Sequence, residues 1–214
     1  MSIKEYTTIK GEANSLLIIN KSKFAGYAKN VDKVEEAKDI LVRVRKDNPD
    51  ANHNCYAYII GKNKEFMKYS DDGEPGGTAG VPMLEVLKKS GLTDILVVST
   101  RYFGGVKLGA GGLVRAYSSS ASETLKEAEK ERFMPCEIFR QAIEYDVWAK
   151  IKPKVKSAGA IIFKQDYLEK VYLEIGLTQE SKDSVFSIIK EALRADDVLE
   201  YLKTDYVIVD KDGE

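Results

Sequence analysis

The chain is poor in the residues that build metal sites and disulfide scaffolds. Its 214 residues contain two cysteines, Cys55 and Cys136, and one histidine, His53. A zinc centre of Cys/His type needs four ligands, and only three candidates exist. Neither cysteine sits in a CxxC pair, so no redox motif or disulfide framework is indicated. No stretch approaches the roughly 18 apolar residues of a membrane helix. The opening residues, MSIKEYTTIKGEAN, lack the apolar run of a signal peptide. No membrane association and a cytoplasmic, reducing setting are therefore expected. Charge of one sign is lacking too. The net charge is −1, which gives no global attraction to nucleic acid or lipid.

Glycine is what the chain has, and it is concentrated. Ten of the sixteen glycines lie between Gly73 and Gly112. All but Gly91 fall in two blocks, SDDGEPGGTAG (Ser70–Gly80) and RYFGGVKLGAGGLVRAY (Arg101–Tyr117). Bare backbone at this density suits close approach by another group. The first block is acidic, with Asp71, Asp72 and Glu74. The second is basic, with Arg101, Lys107 and Arg115, and no acid lies between Asp94 and Glu123.

Hydrophobic periodicity orders the elements around these blocks. Ser15–Asn20 and Lys23–Val31 read as a hairpin turning at Asn20-Lys21. Asp32 with Glu35 reads as a capping box for a helix over 33–47. His53–Gly61 and Glu65–Tyr69 are strands, Val81–Ser90 is a short helix, and Ile95–Ser99 is a buried strand. A loop over Arg101–Gly111 leads to a long helix from Gly112 to Glu131. Phe133-Met134-Pro135 marks a junction between domains 1–133 and 134–214. Beyond it the order strand, helix, strand, strand, helix, strand is the split pattern of a ferredoxin-like domain.

A strand–glycine loop–helix unit is an anion cradle, because free N–H groups and the helix dipole favour phosphate. Arg101 and Arg115 supply forked donors, and Tyr102 and Phe103 offer rings for stacking. Gly104, Gly105, Gly109, Gly111 and Gly112 would let a ligand reach the backbone. The spacing fits neither a P-loop nor a dinucleotide fingerprint. Asp71, Asp72 and Glu74 are candidate Mg²⁺ ligands or proton carriers, or they pair with Arg101 or Arg115 and lock the loops together. His53 and Cys55 share one strand face, which allows a thiol–imidazole pair as well as two ordinary strand residues. Thr78 completes the candidate lining.

The blocks resemble those of the IMPACT/YigZ family. The matching text is HNCYAY (His53–Tyr58), SDDGEPGGTAGVPML (Ser70–Leu84) and VVSTRYFGGVKLGAGGLVRAY (Val97–Tyr117). The resemblance implies an α+β protein of the bacterial two-domain type. Its first domain would have the β-α-β architecture of the second domain of a small-subunit ribosomal protein. Its second would be ferredoxin-like, similar to the last domain of the translocating elongation factor. Both relatives work on the ribosome, and eukaryotic members regulate a translation-control kinase by competing for its activator. The expectation is a non-enzymatic translation-linked regulator without a cofactor. It would bind RNA or a ribosome-associated protein through Arg101, Tyr102, Phe103, Lys107 and Arg115. The alternatives are an enzyme acting on a phosphorylated metabolite or nucleotide, with Mg²⁺ assistance, and a protein-binding module.

Overall fold

A computed structural model describes residues 4–195 and 198–209. The chain divides into two compact units, Tyr6–Arg132 and Phe133–Val209. Both are mixed α and β.

In the first unit, β2 (Glu12–Ile19), β3 (Ser22–Asn30), β6 (Ile95–Tyr102), β4 (His53–Ile60) and β5 (Phe66–Ser70) form one sheet in that spatial order. Each neighbouring pair is antiparallel. Asn20 and Lys21 both have positive φ, 46° and 65°, and Ile19 pairs with Ser22. This is a two-residue hairpin turn whose twist matches that of the strands.

The apolar run of β6 is explained by burial on both faces. Ile95 and Val97 face a core shared with helices α2 (Gly80–Ser90) and α3 (Gly109–Lys126). Leu96 and Val98 face a second core beneath α1 (Val34–Asp47). Phe24 and Tyr117 meet edge to face in the first of these cores, with centroids 5.2 Å apart. Such a pair adds about 0.5–1.5 kcal/mol beyond its buried area. Gly80 lets α2 press against the sheet edge. A Cβ there would stand 2.8 Å from the Ser70 carbonyl carbon.

In the second unit the elements run β7 (Lys130–Ile143), α4 (Tyr145–Ser157), β8 (Ile161–Tyr167), β9 (Val171–Leu177), α5 (Lys182–Leu193) and β10 (Glu200–Val209). The first three residues of β7 fall in the first unit. β7 lies between β9 and β10, and β8 lies beyond β9. Alternate residues of β9, Val171, Leu173 and Ile175, are buried with Trp148, Ile151, Val185 and Ile189 of the two helices. Trp148 Nε1 donates to Gln165 Oε1 at 3.1 Å, which satisfies its one polar atom.

Three local expectations need correction. The helix at 34–47 has Lys33 as its N-cap, with no side-chain cap bond, so Asp32 and Glu35 form no capping box. Helix α3 begins at Gly109 rather than Gly112 and ends at Lys126 rather than Glu131. The segment after it, EAEKER, favours helix by propensity, yet from Lys130 it goes into β7, where strand pairing overrides that preference. Phe133-Met134-Pro135 lies inside β7, and the division into the two units falls between Arg132 and Phe133. A short first strand, β1 (Tyr6–Ile9), carries the buried Ile9 and escaped the periodicity reading because it is only four residues long.

Candidate functional site

Antiparallel pairing sets His53 of β4 directly opposite Arg101 of β6. Both strands end there, below the start of α3. The acidic block leaves β5 at the same edge, and its conformation is fixed from within. The Asp71 carboxylate accepts from the backbone N–H groups of Ala79 and Gly80 through Oδ1 and of Gly77 through Oδ2, at 2.8–3.0 Å. Burial works against its charge, but the donors of Gly77, Gly80 and Ala79 prevail and hold the carboxyl below the usual range. Asp72, at a positive φ of 41°, accepts from Arg45 at 2.8 Å and from the Asn54 N–H at 2.6 Å. The turn so formed drives Glu74 inward.

Glu74 is the hub. Its side chain is 3% exposed, and Arg101 donates to its Oε1 at 2.7 Å. The Tyr117 hydroxyl donates to the same oxygen at 2.6 Å. His53 Nε2 lies 3.8 Å from Oε2, while His53 Nδ1 faces the Asp72 carbonyl at 2.9 Å. The Arg101 guanidinium carbon stands 5.6 Å from the ring centroids of both Phe24 and Phe103. Its Nε is buried and has no hydrogen-bond partner.

Above this hub lies a cleft of about 430 Å³, lined by Asn52, His53, Glu74, Pro75, Arg101, Phe103, Lys107, Leu108, Gly109, Ala110 and Leu113. The first turn of α3 opens onto it. Leu108 is the N-cap, no side chain caps the helix, and the first turn holds no acid. The leading N–H groups have no partners within the helix, and they carry the positive end of its dipole.

The structure thus brings together Arg101, Phe103, Lys107, Gly109, His53 and Glu74. It separates the rest. Tyr102 points to the α1 side of the sheet, where its hydroxyl donates to Asn48 Oδ1 at 2.7 Å. Arg115 is exposed on α3 and does not line the cleft. Gly104 is a packing residue, since a Cβ there would stand 2.0 Å from the Lys21 carbonyl carbon. Gly105 takes a positive φ of 84° in the loop. Gly111 and Gly112 belong to the first turn of α3, not to a loop. Thr78 is buried and caps Pro75 O at 2.7 Å.

Cys55 is fully buried and donates to the Asp71 carbonyl. Burial, reinforced by the nearby carboxylates of Glu74, Asp72 and Asp71, pushes its thiol up to about 12. That is the reverse of an activated nucleophile, so the thiol–imidazole pairing is not formed. Nor do the three acids converge as Mg²⁺ ligands. Each carboxylate is engaged by different protein donors, and no cluster of three His, Cys, Asp or Glu side chains able to hold a metal occurs among the described residues. The sequence reading missed Asn52, Pro75, Leu108, Ala110 and Leu113 as lining residues. Each is adjacent in sequence to an expected site residue (His53, Glu74, Lys107, Gly109, Gly111 or Gly112), but apolar and amide side chains carry no charge or ring to single them out.

The model of the Impact N-terminal domain matches residues 20–125, which include four of the five strands of the sheet, the hub and the cleft. The chain is also 40% identical over 185 residues to IMPACT family member YvyE of Bacillus subtilis, covering 86% of this chain and 85% of that protein. The chain belongs to the IMPACT family. A further IMPACT family member, YigZ of Escherichia coli, is 37% identical over 161 residues, with 74% and 79% of the two chains covered. Among solved structures, the crystal structure of a hypothetical protein shares 29% identity at a TM-score of 0.61, over 99% of this chain and 100% of that one. This likeness extends through both units, beyond the part matched by the IMPACT domain. No helix among the described residues is long and apolar enough to cross a membrane.

Proposed function

We propose that this IMPACT-family chain is a non-enzymatic, translation-linked regulator of the cytoplasm that binds RNA through the cleft at the start of α3. The observation that carries the reading is Phe103. The residue is 47% exposed and lines the cleft, beside Lys107 and the uncapped first turn of α3. An exposed ring next to anion-binding groups is how proteins hold nucleic-acid bases and phosphates together. Arg101 supports the reading in a different role from a free phosphate contact. It is bound to Glu74 and anchors the ring from behind. Of the other cations of the basic block, Lys107 lines the cleft and Arg115 is exposed outside it.

The domain analogies point the same way. The order β10-β7-β9-β8 with two helices on one face supports a ferredoxin-like second domain, which the resemblance links to a ribosomal translocase. An enzyme acting on a phosphorylated metabolite has less support, because Asp71, Asp72 and Glu74 are already engaged by protein donors.

The test is co-sedimentation with ribosomes, together with RNA binding followed by fluorescence anisotropy between about 50 and 200 mM salt. Binding should weaken with salt. The variant Lys107→Ala should flatten the log–log slope by about 0.7, one lost single-strand phosphate contact, whereas Arg115→Ala, outside the cleft, should leave it unchanged. Absence of RNA binding at the lowest salt overturns the proposal. Ribosome association that survives nuclease would indicate a protein partner instead.

A further inference from the structure

We propose that the cleft seats a single unpaired nucleotide, its base on Phe103 and its phosphate at the first turn of α3, so that the chain selects single-stranded over duplex RNA. The inference rests on the RNA-binding reading and narrows it to one form of RNA. Phe103 is held in place before any ligand arrives. Its N–H donates to Asn52 Oδ1 at 2.7 Å, and the Arg101 guanidinium stacks on its ring at 5.6 Å. A ring fixed in this way loses little freedom when a base stacks on it.

The remaining walls suit a flat, partly apolar group. Pro75, Leu108 and Leu113 supply apolar surface, and the volume of about 430 Å³ falls within the range of small-ligand pockets. The anion end is a separate feature. Lys107, Gly109 and Ala110 line the cleft at the uncapped N-terminus of α3. Arg101 adds a second pointer to a ligand. Its side chain is 7% exposed, it lines the same cleft, and its Nε–H has no partner, which is rare for a buried donor in a site that stays empty. A duplex base cannot enter, because both its faces are covered by its neighbours. An unpaired base offers a free face.

The test uses the full chain and a short RNA carrying one 2-aminopurine, compared as a single strand and as a duplex at the same salt. The single strand should bind at least about tenfold more tightly, with 2-aminopurine fluorescence quenched by stacking. Phe103→Ala should lose the quenching and weaken single-strand binding by about 5- to 150-fold, the range of one base–aromatic stack. Phe103→Tyr should restore both. Because Phe103 is half exposed, circular dichroism should show both variants folded. Equal affinity for the two forms, or binding without quenching, overturns the seated nucleotide and leaves RNA binding in place. No binding of either form overturns both.

Discussion

Replacing Arg101 by methionine removes one half of a buried ion pair and strands the other. The Glu74 side chain is 3% exposed. Without Arg101 it keeps only the Tyr117 hydroxyl at 2.6 Å and His53 at 3.8 Å. Breaking such a pair from one side costs about 3–5 kcal/mol, mostly because a charge is left buried and uncompensated. The second variant, Arg101→Met/Glu74→Gln, removes both charges while the amide oxygen still accepts from Tyr117. Stacking of Arg101 on Phe24 and Phe103 is lost in both variants, so it cancels in the comparison. The double variant should therefore recover about 2–3 kcal/mol of the single variant's loss. The assay is native-state hydrogen exchange followed by mass spectrometry, which reads each unit separately. Amides of β4 and β6 should exchange more than a hundredfold faster in Arg101→Met, at about 1.4 kcal/mol per tenfold. Amides of β9, which lies in the other unit, serve as the internal control. A change below about tenfold in the single variant, or a double variant no better than the single, would refute the view of Glu74 as a buried charge held by Arg101.

Two further predictions concern the glycine loop and the thiol. Gly104→Ala forces backbone to move, since the added Cβ would meet Lys21 C at 2.0 Å and Ser22 N at 2.4 Å; thermal unfolding should show a loss above about 2 kcal/mol. Gly105→Ala meets nothing within 4 Å and should cost only the left-handed strain, about 1–2 kcal/mol, so equal losses would contradict the packing role of Gly104. Cys55 should resist iodoacetamide at pH 8 in the folded chain and react once denatured, as mass spectrometry can show. Its folded pKa lies near 12 against an ordinary value of 9.0, so the folded state holds the proton longer than the unfolded one. Stability should therefore be unaffected below pH 9 and should fall by about 1.4 kcal/mol per pH unit between 9 and 12 from this group. A Cys55→Ala variant should lack this contribution.

Much of the architecture follows from local pattern. The Asn20-Lys21 turn, the doubly buried run of β6 and the stop of α2 at Gly91, with φ of 77°, each depend on neighbours within a few residues. Side-chain alternation, turn chemistry and apolar run length are properties of the chain itself. The sequence also marked the two glycine blocks as the place where function should be sought, because their composition and opposite charge are visible in one dimension.

Tertiary structure decided what those residues do. Arg101 and Tyr102 are adjacent and equally suggestive in sequence, yet the strand period of two sends one to the cleft and the other to the α1 side. Glu74 is one of three similar acids, and only the turn closed by Asp71 brings it beneath Arg101. The charge-rich segment after α3 favours helix by its own propensity, and strand pairing overrides that preference from Lys130 onward. Pairing between strands far apart in the chain set His53 opposite Arg101. Burial then turned an apparently free cation, a thiol and a carboxylate into the supports of a cleft, leaving Phe103, Lys107 and the bare start of α3 as the groups that face a ligand.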